Sequence, residues 1–345
     1  MSSLPKLNIK PSMVFDAICY LDRRTDPTSY DIPHTGNFFK KMDALCGGKL
    51  CDSYLGMSTF CYVVATFAEG SAFDVMSLDN LADFFREHDQ RYFCDLVRQK
   101  VTNEFLASFI YPMLDDALTY GLFDIFVNQL KILKTVNFEQ LWRADLLPLI
   151  QNVIQSREAM YGKVTMKNAF EDIQKLKQAP FQSDINIYIA ALSGHVAFSL
   201  PNNSFLEPCV DGSGVWLLFH ELMHGFASDN AISCYLKYIK SNQFLTEQHA
   251  KLIKFSGNEE EFVAAAEYYL RMKHNGESKD DLLKHARTWC GGVLPTSVLL
   301  FELLSREAET PDGYNRWLID IFTNNRLPEF ELDSNIKEYL DKITS

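Results

Sequence analysis

The chain has 345 residues, 47% of them hydrophobic, and a formal net charge of −12. That size and apolar content suit a globular protein with a substantial core, and exclude a disordered or fibrous chain. The acidic balance, with no basic block, excludes nucleic acid as an expected partner. The lack of a signal-like start or a long apolar run leaves a cytoplasmic protein with no membrane span as the expectation.

Apolar residues three and four apart predict helices over residues 60–67, 78–85, 93–114 and 123–133, and again over 138–161 and 166–177. Gln178-Ala179-Pro180 breaks this pattern. It divides the chain into an expected helical amino-terminal region, residues 1–180, and a second region, residues 181–345. Ile185-Asn186-Ile187-Tyr188-Ile189 alternates and carries β-formers, which predicts a strand, with residues 195–200 as its hairpin partner across Leu192-Ser193-Gly194. Pro201-Asn202-Asn203-Ser204 reads as a loop, and Asp211 or Ser213 as the cap of the helix that follows. Further helices are expected over 245–254, 259–273, 279–288, 293–306 and 314–322.

Eight cysteines, Cys19, Cys46, Cys51, Cys61, Cys94, Cys209, Cys234 and Cys290, are scattered without Cys-x-x-Cys spacing, as reduced thiols are. Cys46 and Cys51, the closest pair, are expected to be ordinary thiols. Cys209, eleven residues before His220, is expected to be structural.

The most informative segment is His220-Glu221-Leu222-Met223-His224. On a helix the two histidines share a face one turn apart, so both imidazoles reach a single metal ion with Glu221 beside it. The flanks Val215-Trp216-Leu217-Leu218-Phe219 and Gly225-Phe226-Ala227 are apolar or small, which places three polar side chains in a buried stretch. Without partners they would cost several kcal/mol there. The competing explanation is a surface helix whose histidines and glutamate are merely solvated.

A catalytic zinc needs a third protein ligand and an open fourth position. His-x-x-Gly-x-x-His does not follow His224, which leaves glutamate as the expected third ligand. The stretch Asn258-Glu259-Glu260-Glu261-Phe262-Val263-Ala264-Ala265-Ala266-Glu267-Tyr268-Tyr269 predicts a helix with Asn258 as cap and a face of small residues suited to close approach. Glu267 is a lone carboxylate in an apolar run, and Glu260 lies on its face about two turns earlier. Glu259 to Glu261 also suit the positive end of a helix dipole with no metal involved.

Here the chain resembles the zincin metallopeptidases, in particular the gluzincin branch, whose downstream helix carries a glutamate ligand followed by small residues. Glu261-Phe262-Val263-Ala264 is similar to the Glu-x-x-Ala form of that helix, so the resemblance makes Glu261 the first choice of ligand beside His220 and His224, with Glu267 as competitor. The resemblance covers residues 184–269 and is specific only at His-Glu-x-x-His, residues 220–224. In some gluzincins an Asp four residues after the ligand supports a zinc histidine. Ala265 occupies that place if Glu261 is the ligand, so support must come from elsewhere.

The resemblance implies a mainly α fold with some β (α+β), in which a small sheet lies beside the motif helix. It also implies Zn2+ as cofactor, a peptide or protein substrate, and Glu221 as general base. Tyr268, Tyr269, His285 and His195 are the candidate oxyanion donors that it suggests, with Tyr268 and His285 foremost. Residues 185–189 would bind an extended peptide as the edge strand does in zincins. Two alternatives stand beside this expectation. One is a zinc hydrolase acting on a non-peptide amide; the other is a non-catalytic helical interaction module with a structural metal or none.

Overall fold

The computed structural model describes residues 4–32, 35–50, 57–67, 77–101, 104–164, 166–194, 197–200, 203–209, 214–254, 256–324, 326–327 and 333–344. It is mainly helical, with one small four-stranded sheet. Among the described residues no helix is long and apolar enough to cross a membrane. Two compact units form: Lys6–Ala159 with Gln182–Ser213, and Met1–Pro5 with Met160–Phe181 and Gly214–Ser345. The chain changes unit after Phe181, next to the break read at Pro180, and it also does so at three other points. Neither unit is therefore one continuous segment of the kind expected for residues 1–180 and 181–345.

The first unit contains the sheet, in order β1-β2-β4-β3, with strands β1 Leu7–Pro11, β2 Ile185–Ala190, β3 Phe198–Leu200 and β4 Ser204–Pro208. β2 runs parallel to β1 (Leu7 opposite Ile185) and parallel to β4 (Asn186 opposite Ser204). β3 is antiparallel to β4, with Leu200 opposite Ser204. Two expectations are corrected here. The hairpin is β3-β4, not residues 185–189 with 195–200, because the chain leaves β2 through a short 3-10 turn, Ala191–Ser193, and Ser204 begins a strand. β2 is also not an edge, since both its sides are already hydrogen-bonded. Its composition explains the interior place: Ile185, Ile187, Tyr188, Ile189 and Ala190 are all buried, so both faces are covered.

After β1, Ser12 caps the helix Met13–Arg23 by accepting from the Phe15 amide at 3.2 Å. Phe15 meets Tyr188 of β2 edge to face at 5.1 Å, which seats the helix on the sheet. Asp16, wholly buried in this helix, accepts from the Trp142 indole and the Leu192 amide, each at 2.7 Å. The rest of this core is aromatic. Phe60 stacks on Phe126 at 4.1 Å, with Phe85, Phe93 and Phe123 packed round them, and each such ring contributes roughly 1.5–3 kcal/mol by leaving water.

The second unit is built round the helix Glu260–Leu270, all eleven residues of which are buried. It packs against the motif helix Val215–Met223 and against the helices Lys279–Thr288 and Pro295–Leu304. Ala264, Ala265 and Ala266 present nothing larger than a methyl group, so neighbours on several sides come close. Asn258 is not its cap. Glu259 holds the cap position without a side-chain bond to the helix, because its carboxylate is engaged elsewhere. The helix Asp229–Ile239, capped by Ser228, falls in a stretch where sequence periodicity predicts none. His195, Asp211 and Ser213 lie outside the described residues, as does Cys51. Among the described residues Cys19, Cys46, Cys61, Cys94, Cys209 and Cys234 form no disulfide.

Candidate metal centre

The motif helix runs from Val215 to Met223 and buries both His220 and Glu221, as its apolar approach requires. His224 stands just past its end, and the two imidazole centroids are 4.9 Å apart. Facing them is the first turn of Glu260–Leu270. Glu260 Oε1 lies 3.3 Å from His220 Nε2, and Oε2 lies 3.9 Å from His224 Nε2. One ligand atom from each of His220, His224 and Glu260 falls within 4.8 Å of the others.

Zinc bonds of 2.0–2.1 Å in tetrahedral array put neighbouring ligand atoms about 3.4 Å apart; the His220–Glu260 separation is close to that, while the 3.9 Å to His224 is longer and runs to the other carboxylate oxygen. The nitrogens that face Glu260 are Nε2 atoms, because each Nδ1 is already taken. His220 Nδ1 is 3.1 Å from Glu267 Oε2, and His224 Nδ1 is 3.2 Å from Glu259 Oε1. A carboxylate on each Nδ1 selects the tautomer with the proton there and leaves the Nε2 lone pair facing inward. His220, His224 and Glu260 could therefore hold a metal ion.

The same carboxylates favour the charged form of both imidazoles, so a metal would have to displace a proton there. Burial alone would lower the His220 imidazole, but Glu260 and Glu267 outweigh it and hold it well above its ordinary value. His224 is raised likewise, against burial, chiefly by Glu259. Burial would raise Glu260, but His220 and His224 bring it down to about 2. Four buried carboxylates, Glu221, Glu259, Glu260 and Glu267, thus gather round two imidazoles, with Arg271 offsetting the charge of Glu267.

The three glutamates singled out in sequence have different places. Glu260 supplies the oxygen of the candidate triad and is further bound by the Ser256 hydroxyl at 2.6 Å. Glu261, the first choice by resemblance, is turned away by the 100° step between helix neighbours. Its oxygens accept from the Tyr235 hydroxyl at 2.8 Å and the Ser297 amide at 2.7 Å, and burial pushes its carboxyl up to about 7. Glu267, the competitor, orients His220 and is itself gripped by Arg271 at 2.8 Å. With Glu260 in the ligand place, the support that Ala265 cannot give to a histidine comes from Glu267, seven residues on, and from Glu259, one residue before.

Tyr268 and His285 are brought together, hydroxyl to Nδ1 at 3.2 Å, and so satisfy one another. Tyr269 bonds instead with the Thr310 hydroxyl at 3.0 Å. Burial lowers His285, and the Arg271 charge adds to that. Two neighbours escaped notice in the sequence. Arg271 pairs with Glu267 and Glu277, and Trp289 sets its ring edge to face against His220 at 5.6 Å. The signal for Arg271 was its spacing, four residues after Glu267 on the same helical face. Nothing local marked Trp289. Compared with known proteins, the chain matches no family model, no curated protein and no solved structure.

Proposed function

We propose that this protein is a zinc-dependent hydrolase that cleaves peptide bonds, with His220, His224 and Glu260 holding the metal. The observation that carries this reading is the convergence of two imidazoles on the Glu260 carboxylate, each histidine locked by its own further carboxylate, with Glu221 in the same buried helix. A structural site has no need of that fourth carboxylate. When bound, zinc supplies a Lewis acid that acidifies water and polarises a carbonyl. Glu221 takes the proton from the attacking water and returns it to the departing amine, so one carboxylate serves as base and then acid. Glu259 and Glu267 keep the imidazoles aimed, and Glu260 neutralises part of the metal charge.

Preference for a peptide over another amide rests on the likeness to zincins. The interior position of β2 removes strand addition at residues 185–189 as support for it. Elemental analysis of protein purified without added metal, beside His224→Ala prepared identically, tests the metal. About one zinc per chain, lost in the variant, is expected and leads to a peptide-library screen. Zinc absent from both, even after it is offered, overturns the proposal in favour of a helical interaction module.

A further inference from the structure

His224 differs from His220 in what fixes its backbone. The motif helix ends at Met223, and His224 is extended, with φ −62° and ψ 154°. Its amide donates to the Glu221 carbonyl at 3.3 Å, a bond of three residues and not four, and Gly225 follows with φ 75°. That left-handed value favours glycine and turns the chain sharply out of the helix. A ligand at such an exit is not placed by the helix ladder that places His220.

Two charged side chains from other elements secure the exit. Glu259 takes the ring Nδ1 and also the Gly225 amide at 2.9 Å. Lys177, the last residue of the helix Met166–Lys177, donates from Nζ to the Leu222 carbonyl at 2.8 Å and to the His224 carbonyl at 2.9 Å. Carbonyls at a helix end lack partners within the helix, and a cation there also complements the helix dipole. One ammonium has three donors, enough to bridge both carbonyls, whereas a methionine of similar length has none. With the carbonyl tied to Lys177 and Nδ1 tied to Glu259, the direction of Nε2 is determined.

We infer that Lys177 is a positioning residue for the metal ligand His224, its ammonium fixing the extended backbone so that Nε2 meets that of His220 and the Glu260 carboxylate. The inference rests on the metal-binding reading above. It is tested by measuring the zinc dissociation constant of the wild-type chain, Lys177→Met and Lys177→Arg by competition with a chromophoric chelator at fixed pH. Far-UV circular dichroism and the absorption spectrum of the Co2+ form are recorded alongside.

Lys177→Met is expected to keep the native dichroism, bind zinc ten- to a hundredfold more weakly and show an altered Co2+ spectrum, with Lys177→Arg close to wild type. A folded Lys177→Met that binds zinc as the wild type does overturns the inference and leaves the metal reading intact. Failure of Lys177→Met to fold with or without zinc also overturns it, because the lysine would then support the whole unit and not the ligand. A wild-type chain that takes up no zinc removes the metal reading, and the inference falls with it.

Discussion

In the unit formed by Lys6–Ala159 and Gln182–Ser213, the buried carboxylates among the described residues are Asp16 and Glu207. Asp16 is met by an indole and a backbone amide, and Glu207 by Arg157 at 3.4 Å. In the other unit, Glu221, Glu259, Glu260 and Glu267 are buried round His220 and His224, with Glu261 turned to Tyr235 nearby. The first pattern uses isolated polar groups to pin a helix and a turn in an aromatic core. The second concentrates charge in one place, a costly arrangement in a packed interior unless positive charge balances it, which Arg271 supplies at Glu267 and the two imidazoles at Glu259 and Glu260. Burial of a carboxylate is thus uninformative by itself; what identifies a site is several of them sharing the same two imidazoles.

The sharpest way to break this contrast is at Glu221. Glu221→Gln is expected to retain zinc by elemental analysis while peptide hydrolysis falls by about 10²–10⁴-fold, the usual worth of a positioned general base. Retained turnover would refute the mechanism. On the aromatic side, Phe60→Ala removes a ring stacked on Phe126 and should cost about 3–5 kcal/mol in urea unfolding, with zinc content unchanged in the folded fraction.

Asp16 offers a test by pH. Burial raises its carboxyl from 3.8 to about 7, so between those values the folded chain holds a proton that the unfolded chain has lost. The associated stability is fully present below pH 3.8 and is lost as pH rises towards 7, amounting to a few kcal/mol. Asp16→Asn should flatten that segment of the profile in unfolding experiments, and an unchanged slope would show that Asp16 does not titrate there.

Smaller effects separate the glutamates. Glu267→Gln leaves His220 without its carboxylate and should weaken zinc ten- to a hundredfold, whereas Glu261→Gln should leave the zinc dissociation constant near wild type. Equal losses in the two would remove the distinction drawn between them. At the bottom of the scale, Lys41→Ala breaks an exposed pair with Asp145 and should change stability by less than about 1 kcal/mol.

The sequence made the helical character, the two histidines and Glu221 plain, because a helical period and a short motif are local properties. The third member of the candidate triad was only narrowed. Glu259, Glu260 and Glu261 are adjacent, each points a different way on the helix, and only the packing of the motif helix and of Tyr235 decides which one faces the histidines. The sheet was half legible: Ile185 to Ile189 carry the pattern of a strand, but strand partners are chosen across the fold. Leu7 and Ser204, to either side of Ile185 and Asn186, could not be matched to them from spacing. Lys177 was invisible for the same reason, as a lysine before a break until its ammonium is seen on the carbonyls of Leu222 and His224.

The pairing of β1 with β2 also limits how this protein can be divided or exchanged. A piece cut after Pro180 would carry β2 away from Leu7–Pro11, baring a row of amides and carbonyls along a strand whose faces are apolar. Such a piece would be an aggregation template. A cut at Pro180 therefore does not free the stretch that bears the candidate metal centre as a self-contained piece.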